Sequence, residues 1–166
     1  WLAKFHRLGS VICVDPWEIT SIQNQGEQAR LINAAVAKRD WQQAFLGFAA
    51  SLAMFDNVNY LRDPSEQAIT TYSRAAATGS LLSNEFGRTP VEGKISLLHI
   101  DGNHKFEAVS QDLEKWLPFV MDHGWILFDD YVWAFGDGPK RAGDKYLFEH
   151  KPRTAFVAAD TLFVQI

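Results

Sequence analysis

Short, mainly apolar runs recur along the chain, and each of them stops at a polar or acidic residue. Four such runs are Ser10–Val14, Val58–Leu61, Ile95–Ile100 and Trp125–Phe128. Their length and their content of β-branched and aromatic residues predict strands. The first run is almost continuously apolar, which is typical of a strand buried on both faces, as in a parallel sheet.

The segments between these runs carry helical signals. Residues 27–53 are rich in Ala, Gln, Leu and Phe and predict one or two helices with a break near Arg39–Asp40. Pro64 and Glu66 suit the first turn of another helix, because proline fits that position and a carboxylate complements the positive end of the helix dipole. Apolar spacing predicts two further helices, over residues 106–121 and 141–149.

A closing pair of strands completes the predicted architecture. Thr154–Ala158 and Thr161–Gln165 are separated by a tight turn at Ala159–Asp160, and residues 80–93 predict a surface loop. Strands that alternate with helices indicate an α/β fold, with a mostly parallel sheet sandwiched by helices and a C-terminal antiparallel hairpin. Without a visible linker, a single domain over residues 1–166 is expected.

Composition narrows the function classes. The 166 residues are 47% hydrophobic, and 16 basic against 20 acidic residues give a net charge of −4. This charge argues against a broad basic nucleic-acid-binding face, and the apolar runs are too short to cross a bilayer. Cys13 is the single cysteine, so no internal disulfide forms. A cytoplasmic location with neither nucleic acid nor membrane as partner is expected.

The first residues predict the end of a helix. Trp1, Leu2, Phe5 and Leu8 fall at helical spacing, and Gly9 stands where a C-terminal cap is common. We therefore expect the chain to lack its N-terminal part.

Acidic residues follow three of the predicted strands. Asp15, Asp101 and Asp129 stand at these positions, and Asp130 makes the last one a doublet. A single aspartate after a strand usually caps the next helix, whereas three of them favour a ligand site at the carboxyl edge of a parallel sheet. Asp15 suits the two hydroxyls of a ribose. Trp17 is a candidate to cover an aromatic base, with ordinary packing as the alternative.

The second part of this constellation predicts a cation site. The carboxylates of Asp101, Asp129 and Asp130 repel one another unless a cation or proton lies between them. Oxygen ligands of this kind suit Mg²⁺. His104, three residues beyond Asp101, is a candidate general base, and a solvent-facing residue at a helix start is the alternative. His99, inside a predicted strand, is interpreted as a buried core histidine.

At these residues the chain resembles class I S-adenosylmethionine-dependent methyltransferases. Within that class it is similar to the methyltransferase 24 type family, close to metal-dependent O-methyltransferases of catechols, caffeoyl thioesters and macrolide sugars. The resemblance implies a Rossmann-like sheet and spans nearly the whole chain. It also implies that the family's first strand and the glycine-rich loop after that strand are missing at the N-terminus. The matching stretches are Ser10–Trp17, Asn57–Ser65, Leu98–Val109, Asp112–Leu113, Trp116–Leu117 and Gly124–Tyr131.

The resemblance also implies roles for individual residues. A hydroxyl of a small acceptor (a sugar, phenol or natural product) would take the methyl group of S-adenosylmethionine, and a divalent cation, possibly Mg²⁺, would acidify that hydroxyl. Asp15 would bind the cofactor ribose, with Asp63 and Ser65 near the adenine, so that the cofactor set comprises Asp15, Trp17, Asp63 and Ser65. Asp101, Asp129 and Asp130 would hold the metal, and His104 with Asp101 would serve the reaction.

Other functions stay open on the sequence. A non-catalytic remnant that binds a partner is one alternative, because the family's glycine-rich loop has no counterpart. An NAD-dependent oxidoreductase would need a Gly-x-Gly-x-x-Gly turn that the sequence lacks, and a metal-dependent hydrolase is a further alternative. Two interpretations are equally good for the aromatic residues Tyr131, Trp133 and Phe135. They form either an aromatic wall for the acceptor or part of the core or of an interface. A sheet lacking one strand invites a homodimer.

Overall fold

The computed structural model describes residues 9–19, 25 and 29–166. The helix end predicted for residues 1–8 lies outside these described residues. Among the described helices, none combines the length and apolarity needed to span a membrane. In chain order the elements are β1 (Val11–Val14), α1 (Arg30–Val36), α2 (Trp41–Leu52), β2 (Val58–Leu61), α3 (Ser65–Thr78), β3 (Ser80–Ser83), β4 (Gly87–Pro90), β5 (Ile95–Ile100), α4 (Phe106–Trp116), a 3-10 turn (Leu117–Phe119), β6 (Val120–Phe128), α5 (Gly138–His150), β7 (Thr154–Ala158) and β8 (Thr161–Gln165).

These elements divide between two compact units. The described part of unit 1 comprises residues 9–19 and 39–93, and that of unit 2 comprises residues 25, 29–38 and 94–166. Unit 1 therefore contains β1 to β4 with α2 and α3, and unit 2 contains the remaining elements. The expectation of one domain over residues 1–166 stays a prediction.

Unit 1 is built on a parallel pair of strands. β1 pairs with β2 in register, from Val11 beside Val58 to Val14 beside Leu61. The predicted break ahead of α2 is confirmed, because the Asp40 side chain accepts a hydrogen bond from the Gln43 backbone N–H at 2.9 Å and caps the helix there. Sequence patterning thus places both the strands and the helix boundary correctly.

The surface loop predicted for residues 80–93 is wrong, because this segment forms the antiparallel hairpin β3–β4. Its two strands lack a simple apolar alternation, which is why the sequence does not signal them. A buried amide inside β2 holds the hairpin instead. The Asn59 Nδ2 group donates to the carbonyls of Leu81 and Gly87 at 3.3 and 3.1 Å. It also lies 3.2 Å from the Thr89 hydroxyl, which in turn donates to the Val58 carbonyl.

Replacing Asn59 by alanine is expected to destabilise unit 1 by about 1–3 kcal/mol, because buried carbonyl acceptors lose their donor. Urea denaturation followed by circular dichroism measures the change. Ser73→Ala, at an exposed serine of α3, is the control and should stay within about 0.5 kcal/mol of the parent protein. If both variants lose the same free energy of unfolding, the Asn59 amide does not stabilise the hairpin.

Unit 2 contains a four-stranded sheet in the order β5-β6-β8-β7. β5 and β6 are parallel, whereas β8 is antiparallel to both β6 and β7. The predicted C-terminal hairpin is therefore confirmed, with Ala159 in the left-handed region (φ 54°) at its turn. Parallel pairing joins β1 to β2 and β5 to β6, and the remaining described pairs are antiparallel.

The core of unit 2 forms where α4 and α5 pack against this sheet. Ile126, Phe128 and Val164 are fully buried in it, together with apolar residues of both helices. The helix predicted to reach Met121 ends earlier, at Trp116, because Pro118 cannot donate the next helical hydrogen bond. β6 accordingly begins at Val120, and its pairing with β5 is irregular between that residue and Trp125.

Candidate functional site

A cavity of about 410 Å³ opens in unit 1 beyond the carboxyl ends of β1 and β2. Its volume falls within the range of small-molecule sites. Trp17 and Asp63, two of the predicted cofactor residues, line it. Asp15 stands directly after β1, and Ser65 is the first residue of α3. The complete lining consists of Pro16, Trp17, Glu18, Arg62, Asp63, Pro64 and Gln67.

The turn after β1 is held by Asp15. Its Oδ1 atom accepts a hydrogen bond from the Trp17 backbone N–H at 2.5 Å, and its own backbone N–H donates to the Leu61 carbonyl at 3.2 Å. Trp17 adopts a left-handed backbone conformation (φ 47°). The aspartate therefore both ends the strand and fixes the direction of the segment that lines the cavity.

Trp17 packs in an aromatic cluster and borders the cavity at the same time. Its ring lies 5.2, 4.7 and 5.9 Å from the rings of Phe45, Phe48 and Tyr60, and only 9% of the residue is exposed. Phe86 completes the cluster through Phe48 and Tyr60. Trp17 is thus packed against other aromatic rings, as the alternative interpretation of this residue predicts. The residue also forms part of the cavity wall.

Three further residues with polar side chains line the cavity without being predicted from the sequence: Glu18, Arg62 and Gln67. The Arg62 guanidinium lies 4.2 Å from the centre of the Phe45 ring and donates to the Gln42 side-chain oxygen at 2.8 Å. Its position directly after β2 was the available signal, since residues that follow parallel strands face the ligand edge. The cavity therefore carries charged groups of both signs.

A second cluster lies at the carboxyl ends of the parallel strands β5 and β6 in unit 2. Ile100 pairs with Phe128, and the Asp129 N–H donates to the Ile100 carbonyl at 3.0 Å, so residues beyond both strands meet. Among the described residues, two groups bring three possible metal ligands within 4.8 Å of one another. The first is His99, Asp101 and Asp129, and the second is Asp101, His104 and Asp130.

The first group contains His99, which the sequence had assigned to the core. That prediction is wrong, because the side chain is 39% exposed and its Nε2 atom lies 3.5 Å from Asp129 Oδ2. Side chains alternate along a strand, so burial of Ile100 turns its neighbour His99 to the other face. The other oxygen of Asp129 accepts a 2.6 Å hydrogen bond from the Thr161 hydroxyl.

The second group surrounds the imidazole of His104. Its Nε2 atom lies 3.3 Å from Asp130 Oδ2 and 3.9 Å from Asp101 Oδ1. The side chain is 12% exposed, and the Trp133 ring meets it edge-on at 4.4 Å. His104 therefore faces the two carboxylates instead of solvent. Its Nδ1 atom is buried and has no hydrogen-bond partner among the described residues.

The surroundings of Asp130 raise the pKa of its carboxyl above the ordinary value. Burial raises the pKa of the Asp130 carboxyl, and His104 opposes this effect. The neighbouring carboxylates of Asp129, Asp101 and Asp160 raise that pKa further. Asp130 also has a left-handed backbone (φ 50°), which is uncommon for a residue with a side chain. A cation would relieve the repulsion among these carboxylates.

The start of α5 fixes the backbone that carries His104. A side chain at Gly138 would place its Cβ atom 2.1 Å from the His104 carbonyl oxygen and 2.6 Å from the Phe106 backbone nitrogen. Only glycine permits this approach. The Gly138–Pro139 pair is buried. Gly138 and His104 are far apart in the chain, so no local sequence pattern signals their contact.

The donor set of the cluster fits a divalent cation. It combines three carboxylates with two imidazoles, and Asp101 belongs to both groups. Asp129 and Asp130, which the sequence placed in one ligand set with Asp101, fall into different groups. The geometry therefore brings all the predicted metal and catalytic residues together, and adds His99 to them.

An α/β fold with sites beyond the carboxyl ends of its parallel strands agrees with the sequence resemblance to class I S-adenosylmethionine-dependent methyltransferases. A family model described as a methyltransferase domain matches residues 1–131. The chain therefore belongs to the methyltransferase 24 family within that class. This membership confirms the resemblance seen in the sequence.

The structure is similar to that of the O-methyltransferase NovP. The TM-score is 0.58 at 16% sequence identity, and the match covers 94% of this chain and 59% of the NovP chain. At this identity the likeness concerns the fold, and the chain spans less than two thirds of the length of that neighbour. No curated protein matches the sequence.

Proposed function

We propose that the protein transfers the methyl group of S-adenosylmethionine to a hydroxyl of a small acceptor such as a sugar, a phenol or a natural product. The arrangement that supports this reaction best is the His104 imidazole, whose Nε2 faces two carboxylates beyond β5 and β6. A base in that position serves hydroxyl deprotonation. The resemblance to O-methyltransferases in fold is consistent with the same chemistry.

Cofactor binding is assigned to the cavity of unit 1. The Asp15 carboxylate is suited to the ribose hydroxyls, because an acidic residue after a parallel strand commonly accepts hydrogen bonds from both of them. Trp17 gives the cavity an aromatic wall, and Asp63 with Ser65 supplies polar groups at the start of α3. These residues bind and orient the methyl donor in the proposal.

Acceptor chemistry is assigned to the cluster of unit 2. His104 Nε2 takes the proton of the acceptor hydroxyl, and the nearby carboxylates of Asp101 and Asp130 stabilise the imidazolium that results. The acceptor oxygen then forms a bond to the methyl carbon while the carbon–sulfur bond breaks. The electron pair of the carbon–sulfur bond stays on sulfur. A bound divalent cation would supply charge that lowers the pKa of the hydroxyl.

The base assignment predicts a large effect of His104→Gln. This change removes the proton acceptor but keeps a polar side chain, so turnover should fall by about 100-fold or more. The measurement is mass-spectrometric detection of methylated product with S-adenosylmethionine and a panel of phenols, catechols and sugars. His150→Gln, at an exposed histidine of α5, is the matched control and should retain activity. Equal turnover in His104→Gln and the parent protein would contradict the assignment.

A further inference from the structure

The sheet of unit 2 has an open edge at β7. This strand stands at the end of the order β5-β6-β8-β7, so no described strand pairs with the side that faces away from β8. All five residues of β7 are exposed, and Phe156 and Val157 are 46% exposed. A strand in this position presents a row of backbone N–H and C=O groups with which another chain can pair.

β7 lacks the features that usually prevent pairing at a sheet edge. Natural edge strands are protected by lysine, proline, a bulge or an inward-pointing charge. The five residues of β7 include neither a charged residue nor a proline. The strand pairs with β8 in an unbroken register, from Thr154 beside Gln165 to Ala158 beside Thr161. β7 is therefore regular over its whole length.

Opposite charges flank the two ends of β7. Arg153 directly precedes the strand, and Asp160 follows it after one residue. Both residues are exposed. When two copies of a strand pair in antiparallel direction, the start of each lies beside the end of the other. Arg153 of each copy then lies beside Asp160 of the partner subunit, and such opposite charges stabilise the pairing of strands.

We propose that β7 is the contact surface for a second copy of this chain. The two β7 strands pair in antiparallel direction about a twofold axis, which is the commonest symmetry of homodimers. The sheets of the two copies of unit 2 then form one continuous sheet. Parallel pairing would instead place like charges beside each other at both ends, which is unfavourable.

Contacts within the chain hold the charged ends of β7 in position. The Asp160 carbonyl accepts a hydrogen bond from the Val132 N–H at 3.0 Å, which fixes the turn between β7 and β8. Arg153 Nη1 lies 3.5 Å from His123 Nδ1, at the other end of the strand. Groups that are already ordered lose less conformational freedom when two chains associate.

Sedimentation velocity over a series of protein concentrations in the micromolar range tests the proposal. We expect a monomer–dimer equilibrium with a dissociation constant of about 1–100 µM, because a contact through one short strand is small. Val157→Lys places a positive charge from each copy in the middle of the contact and should weaken the dimer at least about tenfold. Ser96→Lys, at an exposed serine of β5 on the opposite edge of the same sheet, is the matched control and should stay within about threefold of the parent protein.

Charge reversal tests the direction of pairing. Arg153→Glu and Asp160→Arg should each weaken the dimer by about tenfold, because like charges then meet at both ends of the contact. The double variant restores opposite charges and should return to within about threefold of the parent protein. Circular dichroism checks the fold of every variant. If Val157→Lys does not fold, the charge reversals decide, because they lie outside the strand.

Several results would overturn the proposal. A parent protein that stays monomeric at all concentrations would leave this edge to a different occupant, such as a partner protein. A dimer that Ser96→Lys weakens and Val157→Lys does not would place the contact at β5. A double charge variant that dimerises no better than the single variants would exclude antiparallel pairing of β7. None of these measurements depends on methyl transfer, so the proposed function and the dimer can fail separately.

Discussion

Asp101→Asn is expected to lower methyl transfer by about 100-fold or more. Asp101 is the residue common to both ligand groups, and its Oδ1 atom also lies 3.9 Å from His104 Nε2. Asparagine keeps the size of the side chain but removes its charge. The variant therefore loses metal affinity and imidazolium stabilisation together. Initial rates at saturating S-adenosylmethionine, with calorimetric titration of Mg²⁺ into the same samples, measure the two effects.

A matched control for this change is Asp122→Asn, at an exposed aspartate of β6 in the same unit. It should leave both the rate and the metal affinity within about twofold of the parent protein, because surface substitutions away from a site have small effects. A rate in Asp101→Asn close to that of Asp122→Asn would show that this cluster takes no part in the reaction.

Gly138→Ala is expected to disrupt the site through the backbone. The added Cβ atom would stand 2.1 Å from the His104 carbonyl oxygen and 2.8 Å from the Lys105 carbonyl carbon. Because these are backbone atoms, a rotamer change cannot relieve the overlap. We expect a loss of about 1–3 kcal/mol in the free energy of unfolding, together with a displaced His104 and lower turnover.

Guanidinium chloride denaturation and turnover assays check this expectation. Gly47→Ala is the control, because a Cβ at this helical glycine of α2 meets no atom within 4 Å. That variant should be equally stable or more stable by up to about 1 kcal/mol, since alanine favours helix. If Gly138→Ala unfolds at the same denaturant concentration as the parent protein, close approach of α5 to the His104 backbone is not required.

Local patterns predict much of the fold. Apolar runs place β1, β2 and β5 correctly, and the hairpin of β7 and β8 follows from two runs with a two-residue turn. The hairpin of β3 and β4 escapes such reasoning because its support comes from Asn59, more than twenty residues earlier in the chain. A long-range polar contact of this kind leaves no periodic signal in the segment that it stabilises.

The candidate site, like the fold, can be predicted from the sequence only in part. Acidic residues after strands identify Asp101, Asp129 and Asp130, because the carboxyl ends of parallel strands share an edge. The role of His99 is not visible in the sequence, since a histidine within a strand can face either side. Only the burial of Ile100 decides its direction. Pairing of individual carboxylates with individual imidazoles likewise depends on three-dimensional distances.

Calorimetric titration with S-adenosylhomocysteine tests the central claim, that the cavity beyond β1 and β2 binds the methyl donor. We expect one site per chain, with affinity at least about tenfold weaker in Asp15→Asn because one charge-assisted contact is lost. Asparagine retains an acceptor for the Trp17 N–H, so the turn persists. Asp56→Asn, at an exposed aspartate of the same unit, should bind like the parent protein. Absence of binding to the folded protein, or equal affinity in Asp15→Asn, would contradict the claim.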